Sequence, residues 1–350
     1  MPFVFKLKKR DFLMINFGLI GYGYWGPNYL RTIRDNEECS LEYCCDLRPE
    51  MLKVPEQKYN IKTTTDYKQV LKDPKINAVI ISTTATTHYP IVKDALLAGK
   101  DVLVEKPITV SSKEALELAR LAEKEKRILM VGHIFKFNSG VNKVKELIES
   151  KEIGNVLYGH ASRTGLGPVR QDVNALWDLA SHDISIFLHL MKEKPLSVSA
   201  EGACFLQKGI EDVVFLTIRF EDNVIANCHA SWIDPYKYRK LTVVGDKKMV
   251  VFDDTSTEPI RIFDKGVTYC ERGADFAEFK TQLRDGDILS PKLKQSEPLK
   301  EEFNHFLKCV KDRSKPISNG IDGYRVVKVL EAAQKSLKNN GESVKIEFEE

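Results

Sequence analysis

Between residues 15 and 133, short apolar runs alternate with segments whose apolar positions recur at helical spacing. The runs are INFGLIG (15–21), LEYCCDL (41–47), NAVIISTT (77–84), DVLVEKP (101–107) and ILMVGH (128–133). Helices are expected between them at 25–35, 66–73, 89–100 and 111–127. The last has a Ser cap and sets Ala115, Leu118, Ala119 and Ala122 on one face. Apolar strands alternating with amphipathic helices predict a parallel sheet covered on both faces. The rhythm changes near Phe135. A helix at 140–154 precedes alternating or β-branched segments at 155–163, 196–204, 212–220, 223–232, 239–245, 248–254 and 259–264, with a tight hairpin at 220–225. One long helix, 174–192, interrupts them. That pattern predicts an α+β domain with a large, mostly antiparallel open sheet. Val214, Leu216 and Ile218 alternate along one strand and are expected to form its broad open face. Residues 269–294 are polar, with little periodicity, and read as loop. Helices near 297–312 and 322–338 and a strand at 344–348 close the chain.

Composition removes several classes of function. The 53 basic and 50 acidic residues nearly cancel, to a net charge of +3, and no basic run is interleaved with aromatics, so nucleic acid is not an expected partner. No apolar run approaches the roughly 20 residues of a membrane span. The seven cysteines, at 39, 44, 45, 204, 228, 270 and 309, contain no C-x-x-C pair. Neither a zinc site nor a disulfide framework is expected, and a reducing, cytoplasmic compartment is. Cys44 and Cys45 fall in an apolar run and read as core. Residues 1–13 carry their charges after an apolar stretch, the reverse of a secretion signal, and are expected to be an extension, with Met14 as an alternative start.

The first apolar run leads into G-x-G-x-x-G at Gly21, Gly23 and Gly26, which opens a helix inside a βαβ unit. In that context the first glycine permits the tight turn, the second lets backbone approach a pyrophosphate, and the third lets helix and strand pack closely. The phosphates meet free N–H groups at the helix N-terminus. Asp46 ends the second strand, where a carboxylate accepts hydrogen bonds from ribose hydroxyls and repels a 2′-phosphate. NAD is therefore expected over NADP. Arg48 argues the other way, because its guanidinium could bind that phosphate. Trp25, inside the loop, either covers the cofactor or packs. The domains expected are a Rossmann dinucleotide-binding domain over 14–134 and an α+β substrate-binding and oligomerisation domain over 135–350, with the C-terminal helix able to pack back on the first.

Three further stretches carry a family resemblance: Thr83 and His88 in ISTTATTHYP, Glu105-Lys106-Pro107, and Asp178 with His182 in WDLASHD. With the glycine loop, and in that order, they resemble the glucose–fructose oxidoreductase/inositol dehydrogenase/MocA-like family. The likeness covers about Ile15 to Asp264. The block RTGLG…DVNALWDLASHD is similar to members that oxidise or reduce C3 of nucleotide-linked sugars, including UDP-N-acetylglucosamine and its uronic acid. The resemblance implies that His182 is the acid/base, that Asp178 orients it or holds the substrate hydroxyl, and that Lys106 favours the developing alkoxide. Asp178 and His182, at i and i+4, share one helix face. The cofactor would meet Gly21, Gly23, Tyr24, Trp25, Gly26, Asp46, Arg48, Thr83, Thr84, His88, Glu105, Lys106 and Pro107. A cis peptide before Pro107 is expected on the same ground.

Two departures stand out. The chain reads Thr83-Thr84-Ala85 where many members have T-P-N, and Ala180 where many have Gly. Substrate contacts are expected from His133, Lys136, Asn138, Arg163 and Arg170, the arginines because a diphosphate suits guanidinium forks. His189 reads as a core or interface residue, and no metal is expected. The resemblance further implies a homodimer or homotetramer. The leading expectation is an NAD-dependent sugar dehydrogenase. Alternatives are a polyol, inositol or free-sugar dehydrogenase, an NAD-dependent redox-neutral glycosidase, and a cofactor-sensing binding protein, the last disfavoured by the intact Lys106, Asp178 and His182.

Overall fold

The computed structural model describes residues 14–270 and 280–349, so the expected extension at 1–13 lies outside the described residues. In chain order the elements begin β1 (Ile15–Ile20), α1 (Gly26–Arg34), β2 (Cys39–Cys45), α2 (Pro49–Tyr59), β3 (Lys62–Thr64), α3 (Tyr67–Lys72), β4 (Ala78–Ile81), α4 (His88–Leu97), β5 (Asp101–Glu105), α5 (Ser112–Lys124) and β6 (Leu129–Gly132). They continue as α6 (Ser139–Glu149), β7 (Val156–Thr164), α7 (Ser181–Leu190), β8 (Pro195–Ala203), β9 (Val213–Phe220), β10 (Ile225–Ser231), β11 (Tyr238–Gly245), β12 (Met249–Asp253), β13 (Ile260–Cys270), β14 (Lys280–Leu289), α8 (Pro298–Asp312), α9 (Gly320–Lys338) and β15 (Val344–Lys345). Two compact units result. The first takes the chain to Val110 with Glu114–Gly132 and Leu299–Ile321; the second takes Ser111–Lys113, His133–Pro298 and the chain from Asp322.

The first unit is a six-stranded parallel sheet ordered β3-β2-β1-β4-β5-β6. Its central strands are buried throughout, as expected for β-branched runs covered on both faces. Strand order reverses between β1 and β4, and the crevice beyond the carboxyl ends at such a point is where this architecture binds dinucleotides. Two elements escape the sequence pattern. α2 carries Pro55 inside and buries only Leu52 and Pro55, so it shows almost no apolar stripe. β3 is three residues long.

The second unit is a nine-stranded sheet ordered β14-β13-β12-β11-β7-β10-β9-β8-β15, antiparallel except for the β7–β10 pair. One face is packed by Val141, Val144 and Leu147 of α6, Ile184 and Phe187 of α7, and Val326, Val329 and Leu330 of α9. Val214, Leu216 and Ile218 point into that core and are at most 1% exposed, which corrects their assignment to the open face. The open face instead carries Phe215, 50% exposed and stacked on His229 at 4.3 Å between ring centroids. Alternation shows that a strand has two different faces; it does not say which one the helices cover.

The expected loop at 269–294 is also corrected. β13 runs on to Cys270 and pairs with β14, and residues 271–279 lie outside the described residues. From 283 to 290 every side chain is exposed, so this part of β14 has no buried face to impose a period. Cross-strand ion pairs, Lys265–Asp285 at 2.8 Å and Arg284–Asp264 at 3.2 Å, lie along it. Among the described residues no helix is long and apolar enough to cross a membrane. Cys39, Cys44, Cys45, Cys228 and Cys309 are buried free thiols, and Cys204 is an exposed one.

Helix α8 joins the first unit through aromatic packing. Phe303 is fully buried, with its ring 5.3 Å from that of Phe17 on β1, and Phe306 follows one turn on at 6.1 Å. Phe303→Ala is expected to cost about 3–5 kcal/mol by loss of burial and creation of a cavity. Urea unfolding followed by tryptophan fluorescence and circular dichroism measures it; a cost below about 1 kcal/mol would mean that α8 is not held by this contact.

Candidate functional site

The glycine loop follows β1. Gly21 has φ +95°, and a Cβ there would fall 2.7 Å from the backbone of Ser82, so only glycine lets the loops after β1 and β4 approach this closely. A Cβ on Gly26 would strike the Tyr22 ring at 2.9 Å. At Gly23 a Cβ would meet nothing nearer than Arg48 Nη2 at 3.8 Å, leaving the space over the loop clear for a phosphate. The Tyr22 N–H donates to Asp46 Oδ2 at 2.8 Å, which ties the loop to the end of β2. Arg48 donates to the same carboxylate from its backbone N–H and Nε, both at 3.0 Å, and from Nη2 at 3.2 Å. Burial pushes the Asp46 carboxyl up, but these bonds outweigh it and hold the group below its ordinary value. Tyr24 is exposed, and Trp25 meets it edge-on at 5.7 Å from the start of α1. An open second glycine, a helix N-terminus and an ionised carboxylate at the β2 end together fit a dinucleotide.

Behind this loop lie two others, after β4 and β5. His88 is buried and joins them, with Nδ1 2.8 Å from the Pro107 carbonyl and Nε2 3.2 Å from the Thr83 carbonyl. Burial pulls its ring below the ordinary value despite both carbonyls. His88 is therefore a brace between two candidate cofactor loops. Thr83 Oγ1 accepts from Thr87 Oγ1 at 2.8 Å, and the Thr84 carbonyl accepts the Thr87 N–H at 2.9 Å. The Lys106–Pro107 peptide is cis. Glu105 is buried, its Oε1 accepting from Tyr29 Oη at 2.8 Å and its Oε2 from the Lys106 N–H at 3.2 Å. Glu302 of α8 comes within 3.5 Å of the same Tyr29 hydroxyl. Burial raises both carboxyls, and their mutual repulsion raises Glu302 further, well above the ordinary range.

In the second unit, Asp178 lies in a π-helical turn, Leu176–Ala180, that leads into α7, and His182 lies in the first turn of α7. The expected continuous α-helix is thus widened at its start, a feature frequent at functional sites. Asn174 anchors the turn: its Oδ1 accepts the Trp177 N–H at 3.2 Å, and its Nδ2 donates to Glu211 at 2.6 Å and Gln334 at 2.9 Å. The Asp178 carboxylate accepts from Trp232 Nε1 at 3.1 Å and faces Arg170 Nη1 at 3.4 Å, with Arg170 also gripping Asp172. His182 rests edge-on against Phe135, with centroids 5.2 Å apart. Trp232 and Phe135 carry no signal of these contacts in the sequence, where Trp232 only closes an apolar segment.

Several expected substrate contacts have other employment. Arg163, 3% exposed, points its fork at Asp183, with Nε–Oδ2 at 3.0 Å and Nη2–Oδ1 at 2.8 Å, and stacks over Phe135. Asp183 thus occupies Nε and Nη2 of the fork, while Nη1 is buried without a hydrogen-bond partner. Asn138 caps α6, its Oδ1 accepting the Gly140 N–H at 2.8 Å, and its Nδ2 donates to Asp254 at 3.0 Å. Lys136 is buried with Nζ 3.5 Å from Asp322, and burial lowers its pKa. His133 is buried just after β6. His189 is half-buried, and burial followed by repulsion from Lys136 and Lys145 pulls its ring down to about 3, so it is neutral in the fold.

Glu302 supplies a pH test of the first unit. Its carboxyl is raised in the fold above the ordinary 4.5, so its contribution to stability is complete below about pH 4.5 and is lost as pH climbs toward the folded value. Glu302→Gln, a neutral mimic, is expected to raise the melting temperature at pH 8 by about 2–4 °C. The gain should vanish near pH 5. Melting curves across that range check it; an equal gain at both ends would mean that no ionisation is involved.

Comparison with known proteins gives the same picture. The family profile described as the oxidoreductase family, NAD-binding Rossmann fold, matches residues 15–133, and that of the GFO/IDH/MocA C-terminal domain matches 141–251. The myo-inositol 2-dehydrogenase of Thermotoga maritima is 24% identical over 94% of this chain and 98% of its own. The scyllo-inositol 2-dehydrogenase (NAD(+)) of Bacillus subtilis is 26% identical over 79% of this chain and 80% of its own. Among solved structures, the UDP-N-acetylglucosamine 3-dehydrogenase of Acidithiobacillus ferrooxidans shares the fold with a TM-score of 0.79, at 21% identity over 93% of this chain and 98% of its own. With its Rossmann sheet, open glycine loop and second antiparallel sheet, the chain belongs to the GFO/IDH/MocA family of NAD-binding oxidoreductases.

Proposed function

We propose that this oxidoreductase transfers hydride between NAD and a secondary hydroxyl, C3, of a nucleotide-linked sugar such as UDP-N-acetylglucosamine or its uronic acid. The observation that carries the reading is the Asp178 carboxylate, fixed through both oxygens by Trp232 and Arg170, one helical turn before His182. When bound, the nicotinamide supplies the hydride chemistry. His182 takes the hydroxyl proton on its imidazole as the carbinol is oxidised, and returns it in the reverse direction. Asp178 stabilises the imidazolium by its charge, and Lys106 favours the alkoxide oxygen. The Asp46 carboxylate selects NAD, with Arg48 neutralising it in the absence of a ribose. A polyol or inositol substrate is the second reading, favoured by the activities of the two inositol dehydrogenase relatives. Free thiols at Cys39, Cys44, Cys45, Cys204, Cys228 and Cys309 support a cytoplasmic setting.

His182→Asn is expected to keep NAD binding while lowering turnover by about 10²–10⁴-fold. Lys106→Met should cut turnover and raise KM as well. Single-turnover hydride transfer and melting temperature on the same samples check both; full activity in a well-folded His182→Asn would remove α7 from the mechanism. A panel of nucleotide sugars, free sugars and inositols separates the two substrate readings.

Asp46→Ala should narrow the preference for NAD, read from the dissociation constants of NAD and NADP. Tighter NADP binding by the unmodified protein would show that Arg48 governs instead.

We also propose that the open face of the second sheet, around Phe215 and His229, pairs copies of the chain into a dimer or tetramer. Light scattering at micromolar concentration checks the assembly, and Phe215→Glu should shift it toward monomer.

A further inference from the structure

Arg239 on β11 stands directly across from Arg163 on β7. Its neighbours in alternation, Leu241 and Val243, are buried, so Arg239 lies on the face of the sheet that α7 covers. Its backbone is fixed, the carbonyl accepting the Asp254 N–H at 3.0 Å. Two arginines thus meet on this face, and the carboxylate nearest them is already used: Asp183 is filled by Arg163. Asp254 and Asp178 lie within electrostatic reach of Arg239, but Asp254 accepts from Asn138 and Asp178 from Trp232 and Arg170. Among the described residues, Arg239 makes no side-chain hydrogen bond and no ion pair. It is half-buried, and burial followed by repulsion from Arg163 brings its pKa below the usual arginine value. A half-buried guanidinium with none of its five donors used is a strong receptor for a planar or tetrahedral oxyanion.

We propose that Arg239 is an anion receptor beside Asp178 and that the substrate carries a carboxylate or phosphate group which its fork binds. This rests on the assignment of Asp178 and His182 to the substrate site and narrows the substrate to anionic sugars. An uncharged inositol would leave the half-buried guanidinium unpaired, a mismatch that discriminates against it.

The test uses the full chain with NAD present and three probes: UDP, glucuronate and glucose. Thermal shift reads binding without turnover. UDP or glucuronate should stabilise the wild-type protein and glucose should not; a response to UDP assigns a phosphate source, and one to glucuronate a carboxylate source. Arg239→Gln should weaken the responding anion by about 10–100-fold, the range of a charge-assisted contact, and leave NAD binding unchanged. Arg239→Lys keeps the charge and loses the fork. It should fall between, and it carries the test if the Gln variant folds poorly. The proposal is overturned if neither anion stabilises the wild-type protein, or if the anion response survives in the variants. Failure of the oxidoreductase reading would appear separately, as no NADH from any sugar while the Arg239-dependent anion response persists.

Discussion

The second unit is organised around one buried ion pair. Arg163 and Asp183 are each about 4% exposed in their side chains, and removing two such charges from water costs several kcal/mol per ion. That cost is offset only by close geometry, here a fork of bonds at 2.8–3.1 Å with an aromatic face beneath the guanidinium. The pair therefore fixes the position of α7 against β7 along both its length and its rotation. His182 is the residue immediately before Asp183, so its direction is set by the same contact. Phe135 links the two, touching the guanidinium with its face and the imidazole with its edge. A helix held only by apolar contacts could slide by a fraction of a turn at little cost; this one is pinned at a single side chain.

The first unit uses buried polar groups differently. His88, Tyr29, Glu105 and Glu302 brace the loops after β4 and β5 through buried hydrogen bonds. Each is a polar atom in a nearly dry setting, where an unmade bond is expensive. The loops after β4 and β5 thus depend on side chains from α1, α4 and α8. Pre-organisation of this kind lets a binding surface made of backbone amides keep its shape without side chains of its own.

Much of this was legible in the residues alone. The glycine loop, the strand-to-helix rhythm to Gly132 and the Asp46 position follow from local rules, and local rules are what a sequence displays. What stayed hidden depended on partners far along the chain. Arg163 reads as a fork open to a diphosphate until Asp183 is brought opposite it. Asn138 reads as a polar loop residue, although its place just before a helix carried the signal of a cap. The π-helical turn at Asp178 depends on Glu211 and Gln334, which no periodicity around residue 178 could reveal. Val214, Leu216 and Ile218 were recognised as one face, but the helices that cover it come from three distant segments.

The polar ribbon of β13 and β14 has one more consequence. β14 is the outermost strand of the nine-stranded sheet, so among the described residues its backbone donors and acceptors on one side have no neighbouring strand. An apolar strand in that place would be a template for adding a strand from another molecule, the first step of aggregation. Arg284, Asp285 and Asp287 stand exposed along it, and bringing a second strand alongside would bury or crowd those charges. The polarity that disguises β14 as a loop is thus the property that lets a wide open sheet end safely in water.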